Sequence, residues 1–251
     1  GCAVTAYYNE NDPYVAQWLR NLIVEDMIAL GDVDDRPIQE VEAKDLEGYA
    51  QCHFFAGIGG WSYALRLAGW PDDRPVWTGS CPCQPFSRVN SSRLFFADPR
   101  HLWPKWFNLI REHRPPTVFE EQVASAVDWF DLVACEMDSI DYAFGAALLP
   151  AGAVRAAHER ERIWFVADAD AERWENITRM RTPAESRANG RSTVGLVHRE
   201  LPGEIRWTSQ PDQDWVVDGV PGGGHVVSAF GNAIYPPLAA QFIRAFQECR
   251  P

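Results

Sequence analysis

The feature that most limits what this chain can fold into is an alternation. Short β-prone runs recur along it, each followed by residues at helical spacing. Val4-Thr5-Ala6-Tyr7-Tyr8 reads as a strand. Asp12-Pro13 then reads as an N-cap with proline at the first helical position, and Val15, Trp18, Leu19, Leu22, Ile23, Met27 and Leu30 follow on one helical face, with Gly31 as a stop. Gln51 to Phe55 leads through a glycine turn into a helix ending near Ala68, and Pro75 to Thr78 is a short strand. Leu102 to His113 is helical and Thr117 to Phe119 extended. A helix over 125–138, a strand near 142–148, a strand at Ile163–Val166 and a helix from Pro236 through Phe246 complete the series. Alternation at this spacing predicts an α/β fold with a mostly parallel sheet.

From Asp168 to about Val217 the pattern dissolves into Arg, Thr, Ser, Asn and Gly. The expected organisation is a core of residues 1–168 and 218–251 interrupted by a small irregular region at 169–217. With 46% apolar and 12% aromatic residues in 251, disorder is excluded for most of the chain. No run approaches the roughly 18 apolar residues of a membrane helix, and no Lys or Arg precedes Arg20, so a cytoplasmic protein without membrane contact is expected. The six cysteines lack any Cys-x-x-Cys spacing; reduced thiols and no metal site are expected.

A net charge of −12 argues at first against a polyanionic partner. The charge is segregated, however. Residues 9–47 hold eleven acids and three bases, 86–116 six bases and two acids, and 173–206 seven Arg and four Glu. One face can therefore meet nucleic acid, although an unevenly charged, solvated surface accounts for the same counts.

Two segments carry chemistry. Phe55-Ala56-Gly57-Ile58-Gly59-Gly60 lies between a strand and a helix, where glycines let a ligand approach the backbone and a helix N-terminus offers unpaired N–H groups. The turn does not by itself separate a dinucleotide from S-adenosylmethionine. Ser80-Cys81-Pro82-Cys83-Gln84-Pro85 sets a cysteine between prolines just past a strand end, and Glu120-Glu121-Gln122-Val123 sets acids at another. A thiol and a carboxylate from neighbouring strand ends can share one substrate.

On these residues the chain resembles the DNA (cytosine-5)-methyltransferases, in the style of short phage or prophage members. Phe55-x-Gly57-x-Gly59-Gly60 is similar to the family's cofactor loop, Pro82-Cys83-Gln84 to its nucleophile motif and Glu121-Gln122-Val123 to its Glu-Asn-Val motif. Arg160-Glu161-Arg162 matches its Arg-x-Arg, and Gly231-Asn232-Ala233 its C-terminal motif. Only 24 residues separate Gly59 from Cys83, too few for the two βα units the family places there, and positions 74–80 hold no ribose-binding acid. Those units are found upstream instead: Tyr8-Asn9-Glu10-Asn11-Asp12-Pro13 resembles the ribose-binding motif and Gly31-Asp32-Val33 the adenine-side motif. A permuted motif order follows, on a Rossmann-like methyltransferase sheet, with every crossover expected to stay right-handed.

The resemblance implies methyl transfer from S-adenosylmethionine to carbon 5 of a flipped cytosine in double-stranded DNA, by a protein without metal that acts as a monomer. Cys83 would be the nucleophile, Glu121 would bond the pyrimidine edge, and Arg160 and Arg162 would support both. Phe55, Gly57, Ile58 and Gly59 would hold the cofactor with Glu10, Asn11, Asp32, Val33, Asn232 and Ala233. Gln84, Ser87, Arg88 and Arg93 would meet DNA near the nucleophile, and Arg179 and Arg181 from the 169–217 region. The chain departs from the family at Gln122, where Asn is usual, at His158, where Gln is usual, at Asn11, and in 88–93, which lack a glycine. The same chemistry on RNA and a non-catalytic DNA- or cofactor-binding remnant are the competing readings.

Overall fold

The structure, a computed structural model, describes residues 5–82, 101–150, 161–170 and 233–249. Seven strands form one sheet: β1 (Ala6–Asn9), β2 (Gly31–Asp34), β3 (Gln51–Phe54), β4 (Val76–Gly79), β5 (Thr117–Val123), β6 (Ala143–Pro150) and β7 (Glu161–Asp168). Their order is β2-β1-β3-β4-β5-β7-β6. All neighbours pair in parallel except β7, which runs antiparallel to both β5 and β6. Among the described residues five α-helices accompany them: α1 (Pro13–Val24), α2 (Gly60–Leu67), α3 (Trp103–His113), α4 (Val127–Asp138) and α5 (Pro236–Cys249), with two 3₁₀ turns, Ile38–Glu40 and Ala43–Leu46, between β2 and β3.

Strand alternation sorts the core into two layers. Tyr7, Cys52, Phe54, Trp77, Val118 and Phe165 pack on the 3₁₀ turns, α3 and α4, around Trp103, Trp106 and Trp129. On the opposite face Ala6 and Tyr8 pack on α1, and Val76, Phe119 and Trp164 pack on α2 and α5. Trp70, Trp103, Trp106, Trp129 and Trp164 are all essentially without exposed surface. Each such side chain contributes on the order of 2–3 kcal/mol of burial free energy, so these five tryptophans are core.

Counting the glycine-loop strand β3 first and β1 and β2 second and third turns the order into 3-2-1-4-5-7-6. Its first five places are those of a doubly wound nucleotide-binding sheet. The motif units have thus exchanged places along the chain while keeping their places in the sheet. The expectation that every crossover stays right-handed fails at one unit. The crossovers β1-α1-β2, β2-to-β3, β4-α3-β5 and β5-α4-β6 share one hand, given their directions and the faces their connections cover. The β3-α2-β4 unit steps in the same direction as β4-α3-β5 but carries its helix on the opposite face, so it has the other, left hand. Its cause is local: α2 is tied to β1, to the segment after α1 and to the approach to α5. Ser62 Oγ lies 3.0 Å from the Tyr8 hydroxyl and accepts the Ala29 N–H at 3.1 Å, and Gly60 abuts Ile234 just ahead of α5.

Two further readings are corrected. The helix from Pro13 does not run to Leu30; it ends at Val24. Asp26 is left-handed (φ 54°), its N–H reaching the Ile23 carbonyl and that of Met27 reaching Leu22, which closes the helix in a Schellman arrangement. Gly31 is no stop but the first residue of β2, where an added Cβ would lie 2.2 Å from the Ala6 carbonyl oxygen.

Candidate active site

The C-terminal ends of β1, β3, β4 and β5 share one edge of the sheet. In an open α/β sheet ligands bind outside this edge, at the place where the strand order reverses. Here that place lies between β3 and its two neighbours. The turn after β3 is shaped by three left-handed residues, Phe55 (φ 51°), Gly57 (φ 52°) and Gly59 (φ 80°). Left-handed backbone is strained for any residue with a Cβ, so Phe55 holds an unusual conformation, fixed by the Ala56 N–H bonding the Asn9 carbonyl at 3.0 Å. The Phe55 ring meets Trp106 edge-on, with centroids 6.0 Å apart.

Glu10, one residue past β1, reaches this turn. Its Oε2 accepts the Gly57 N–H at 2.9 Å and its Oε1 the Asp12 N–H at 3.0 Å. Burial pushes the Glu10 carboxyl above the usual carboxylate range, opposed by the backbone N–H groups it accepts. The two glycines differ. A Cβ on Gly57 would meet nothing nearer than the Phe55 carbonyl at 4.0 Å, so its side lies open. One on Gly59 would press against Leu19, Leu22 and Ile28 at 3.3 Å. Gly57 thus leaves room for a ligand, whereas Gly59 serves packing against α1. The open side of Gly57, the Glu10 carboxylate and the Phe55 ring fit a nucleoside-bearing cofactor such as S-adenosylmethionine.

The adenine-side residues are not all brought here. Register sets Asp32 opposite Tyr7, three residues short of Glu10, and its carboxylate accepts the Tyr49 hydroxyl at 2.6 Å. Val33 turns to the other face and packs against the cluster that holds Ala6, Tyr8 and Leu19. Asp34, level with Asn9, accepts from the Tyr7 hydroxyl at 2.6 Å and from Arg36, which also bridges to Asp45. Asn11 is exposed. Ala233 adjoins Ile234, which packs on Gly60, so the approach to α5 lies beside the glycine turn.

At the β4 and β5 ends the side chains alternate. Glu121, only 6% exposed, turns toward the face of α2 and α5, where Arg162 of β7 puts Nε 2.9 Å from its Oε1, an ion contact off the hydrogen-bonding axis. Glu120 and Gln122 turn the other way and reach Cys81. The Cys81 N–H donates to Glu120 Oε1 at 3.2 Å, and Gln122 Nε2 donates to the Cys81 carbonyl at 2.9 Å. Gln122 is therefore a tie between strands. Glu120 was not singled out in the sequence; the available signal was a second acid inside a run that otherwise reads as buried strand. Cys83, Gln84, Ser87, Arg88, Arg93, His158, Arg160, Arg179, Arg181 and Asn232 lie outside the described residues. Among the described residues no cluster of His, Cys, Asp or Glu could hold a metal ion, and no helix is long and apolar enough to cross a membrane.

The sheet order and its glycine turn define a Rossmann-like methyltransferase-type α/β fold. A family model for C-5 cytosine-specific DNA methylases matches residues 70–215, more than half of the chain. The protein belongs to that family. The match begins after the glycine turn, so the two transposed units lie ahead of it. No curated protein matches the sequence. Among solved structures, a triple mutant of DNMT2 from Spodoptera frugiperda is similar over 70% of this chain and 45% of its own, at 14% identity and a TM-score of 0.47. The methyltransferase EhMeth of Entamoeba histolytica is similar over 72% and 57%, at 13% identity and 0.42. A candidate DNA modification methyltransferase from a prophage of E. coli is similar over 66% and 47%, at 14% identity and 0.40. The chain spans about half the length of these structures.

Proposed function

We propose that the chain transfers the methyl group of S-adenosylmethionine to carbon 5 of cytosine in double-stranded DNA, through a covalent adduct on Cys83 with the base turned out of the helix. The observation that carries this reading is one shared sheet edge: the Glu121–Arg162 pair stands at the end of β5 and the start of the antiparallel β7, and the Glu10–Gly57 bond at the ends of β1 and β3. Bound at the glycine turn, S-adenosylmethionine supplies an electrophilic methyl on its sulfonium. Glu10 accepts from the ribose hydroxyls and Phe55 covers the adenine.

In this reading Cys83 as thiolate adds to carbon 6 of the ring. Glu121 bonds ring N3 and the exocyclic amino group, so the electron pair displaced by sulfur reaches carbon 5 as an enamine. Arg162, with Arg160, holds Glu121 in line and stabilises the charge that develops in a water-poor site. Carbon 5 then takes the methyl as its bond to sulfur breaks and the donor leaves as a neutral thioether, and loss of the carbon-5 proton to water returns an electron pair to the ring and expels the cysteine thiolate. Flipping the base costs a few kcal/mol, offset by contacts from Gln84, Ser87, Arg88 and Arg93. Arg179 and Arg181, in a recognition region of 169–217, would touch mostly phosphate, so a short or relaxed target is expected. A monomeric, cytoplasmic protein completes the reading.

The test offers tritiated S-adenosylmethionine with duplex DNA and with tRNA in parallel. Label in DNA cytosine is the expected result, with bisulfite sequencing of a co-expressed plasmid giving its context. Label in RNA alone overturns the DNA assignment, and no label in either, with cofactor binding intact, points to the non-catalytic remnant. A stringent site of about six base pairs or more would contradict the small recognition region.

A further inference from the structure

The chemistry above leaves one buried acid of β5 without a task. Glu120 has no exposed surface. Its Oε1 accepts the Cys81 N–H at 3.2 Å, while its Oε2 is buried with no hydrogen-bond partner. The position follows from register. Gly79, the last residue of β4, lies opposite Glu120, so the chain leaving β4 passes over this carboxyl within two residues. Residues 120 and 122 share a strand face, and Gln122 Nε2 holds the Cys81 carbonyl at 2.9 Å. Gln122 is itself fixed, since its Oε1 accepts the Val123 N–H at 2.9 Å. Both polar groups of the residue two before Cys83 are therefore gripped from β5, on either side of the strand position occupied by Glu121.

We propose that Glu120 is a positioning residue for the nucleophile: together with Gln122 it clamps the Cys81 residue at its N–H and carbonyl, fixing the direction in which the chain leaves β4 toward Cys83. This rests on Cys83 being the nucleophile. A leucine would fill the same space but leave the Cys81 N–H buried without an acceptor, whereas glutamine retains an acceptor oxygen. In its neutral form the carboxyl adds no second negative charge beside Glu121.

The experiment compares Glu120→Gln and Glu120→Leu in the full chain by three readouts: single-turnover methyl transfer, S-adenosylmethionine affinity, and hydrogen exchange of the Cys81 amide followed by NMR. Loss of the clamp in Glu120→Leu is expected to slow single-turnover transfer about a hundredfold, the scale on which small misplacement of a reacting group acts. Cofactor affinity stays unchanged, because Glu10 and the glycine turn are untouched. Cys81 exchange accelerates by about tenfold or more, as for an amide that has lost its partner. Glu120→Gln restores both rate and protection. Wild-type exchange and rate in Glu120→Leu, or a folded Glu120→Gln as impaired as the leucine variant, overturn the proposal. If Glu120→Leu does not fold, Glu120→Met, longer and more adaptable, gives the same comparison. Should the wild type methylate neither nucleic acid, the proposed function fails while the exchange comparison still judges the clamp.

Discussion

Three consecutive side chains, Glu120, Glu121 and Gln122, divide the end of β5 between two faces, and each makes a separate test possible. Glu120 is pushed well above the usual carboxylate range, first by burial and then by Glu121, against the Cys81 N–H. The folded state therefore keeps a proton that the unfolded chain releases above about pH 4.5, and stability falls as pH rises from there toward the folded value. In urea unfolding across pH 5–8, the stability difference between Glu120→Gln and wild type should move steadily in favour of the variant. A pH-independent difference contradicts a neutral Glu120. Glu10 carries a different prediction: Glu10→Gln should weaken S-adenosylmethionine binding about tenfold, the loss of a charge-assisted bond, with little change in thermal stability. Calorimetric titration checks it, and because burial raises this carboxyl as well, wild-type affinity should decline on acidification earlier than an ordinary carboxylate would dictate. Glu121 and Gln122 were legible in the sequence because they sit in a motif. Glu120 was not, because its partner is set by which residue of β4 lies opposite, and that is a property of register.

At the level of elements, glycines that look alike in sequence do different work. Gly57 has an open side, whereas Gly60 would drive a Cβ to 2.8 Å from Ile234. Gly60→Ala should lower stability by about 1–3 kcal/mol through overpacking between α2 and the approach to α5, leaving the affinity of the folded fraction for S-adenosylmethionine nearly intact. Gly57→Ala should do the reverse, costing about 1 kcal/mol of left-handed strain but obstructing the cofactor. Denaturation and calorimetry on the pair separate the two roles, and equal effects on both properties would contradict the assignment. The strand-helix alternation made most elements readable, since apolar spacing and the Asp12 N-cap act locally. β2 was missed for a physical reason: Gly31-Asp32-Val33-Asp34 is an edge strand with one apolar residue, and its pairing to β1 rather than its own propensity makes it extended. The same register explains why Asp32 falls short of Glu10.

Across the whole molecule, the permuted order and the sheet are reconciled by one crossover of unusual hand, so spatial position prevailed over connectivity. The permutation was legible from the short spacing between glycine turn and nucleophile motif; the left-handed unit was not, because it depends on which face α2 must share with α1 and α5. The centre of that face holds His53, wholly buried between Thr78 and Gln51 and stacked on Tyr8, its ring held near pKa 3 by burial. The unfolded chain takes up a proton near the usual value of 6.5 that the folded state refuses until about 3, so this group withdraws stability as pH falls through that window. Unfolding midpoints should drop between pH 6.5 and 4 by more in wild type than in His53→Gln, and parallel profiles would exclude His53 as a cause. The central claim, that a thiol at 83 and the carboxyl at 121 act on one pyrimidine, is tested most directly by trapping. Duplex DNA carrying 5-fluorocytosine, incubated with S-adenosylmethionine, should give a denaturation-resistant adduct with the wild type, no adduct with Cys83→Ser, and far less with Glu121→Gln. An adduct that persists in Cys83→Ser, or none in a wild type that methylates cytosine, would contradict the account.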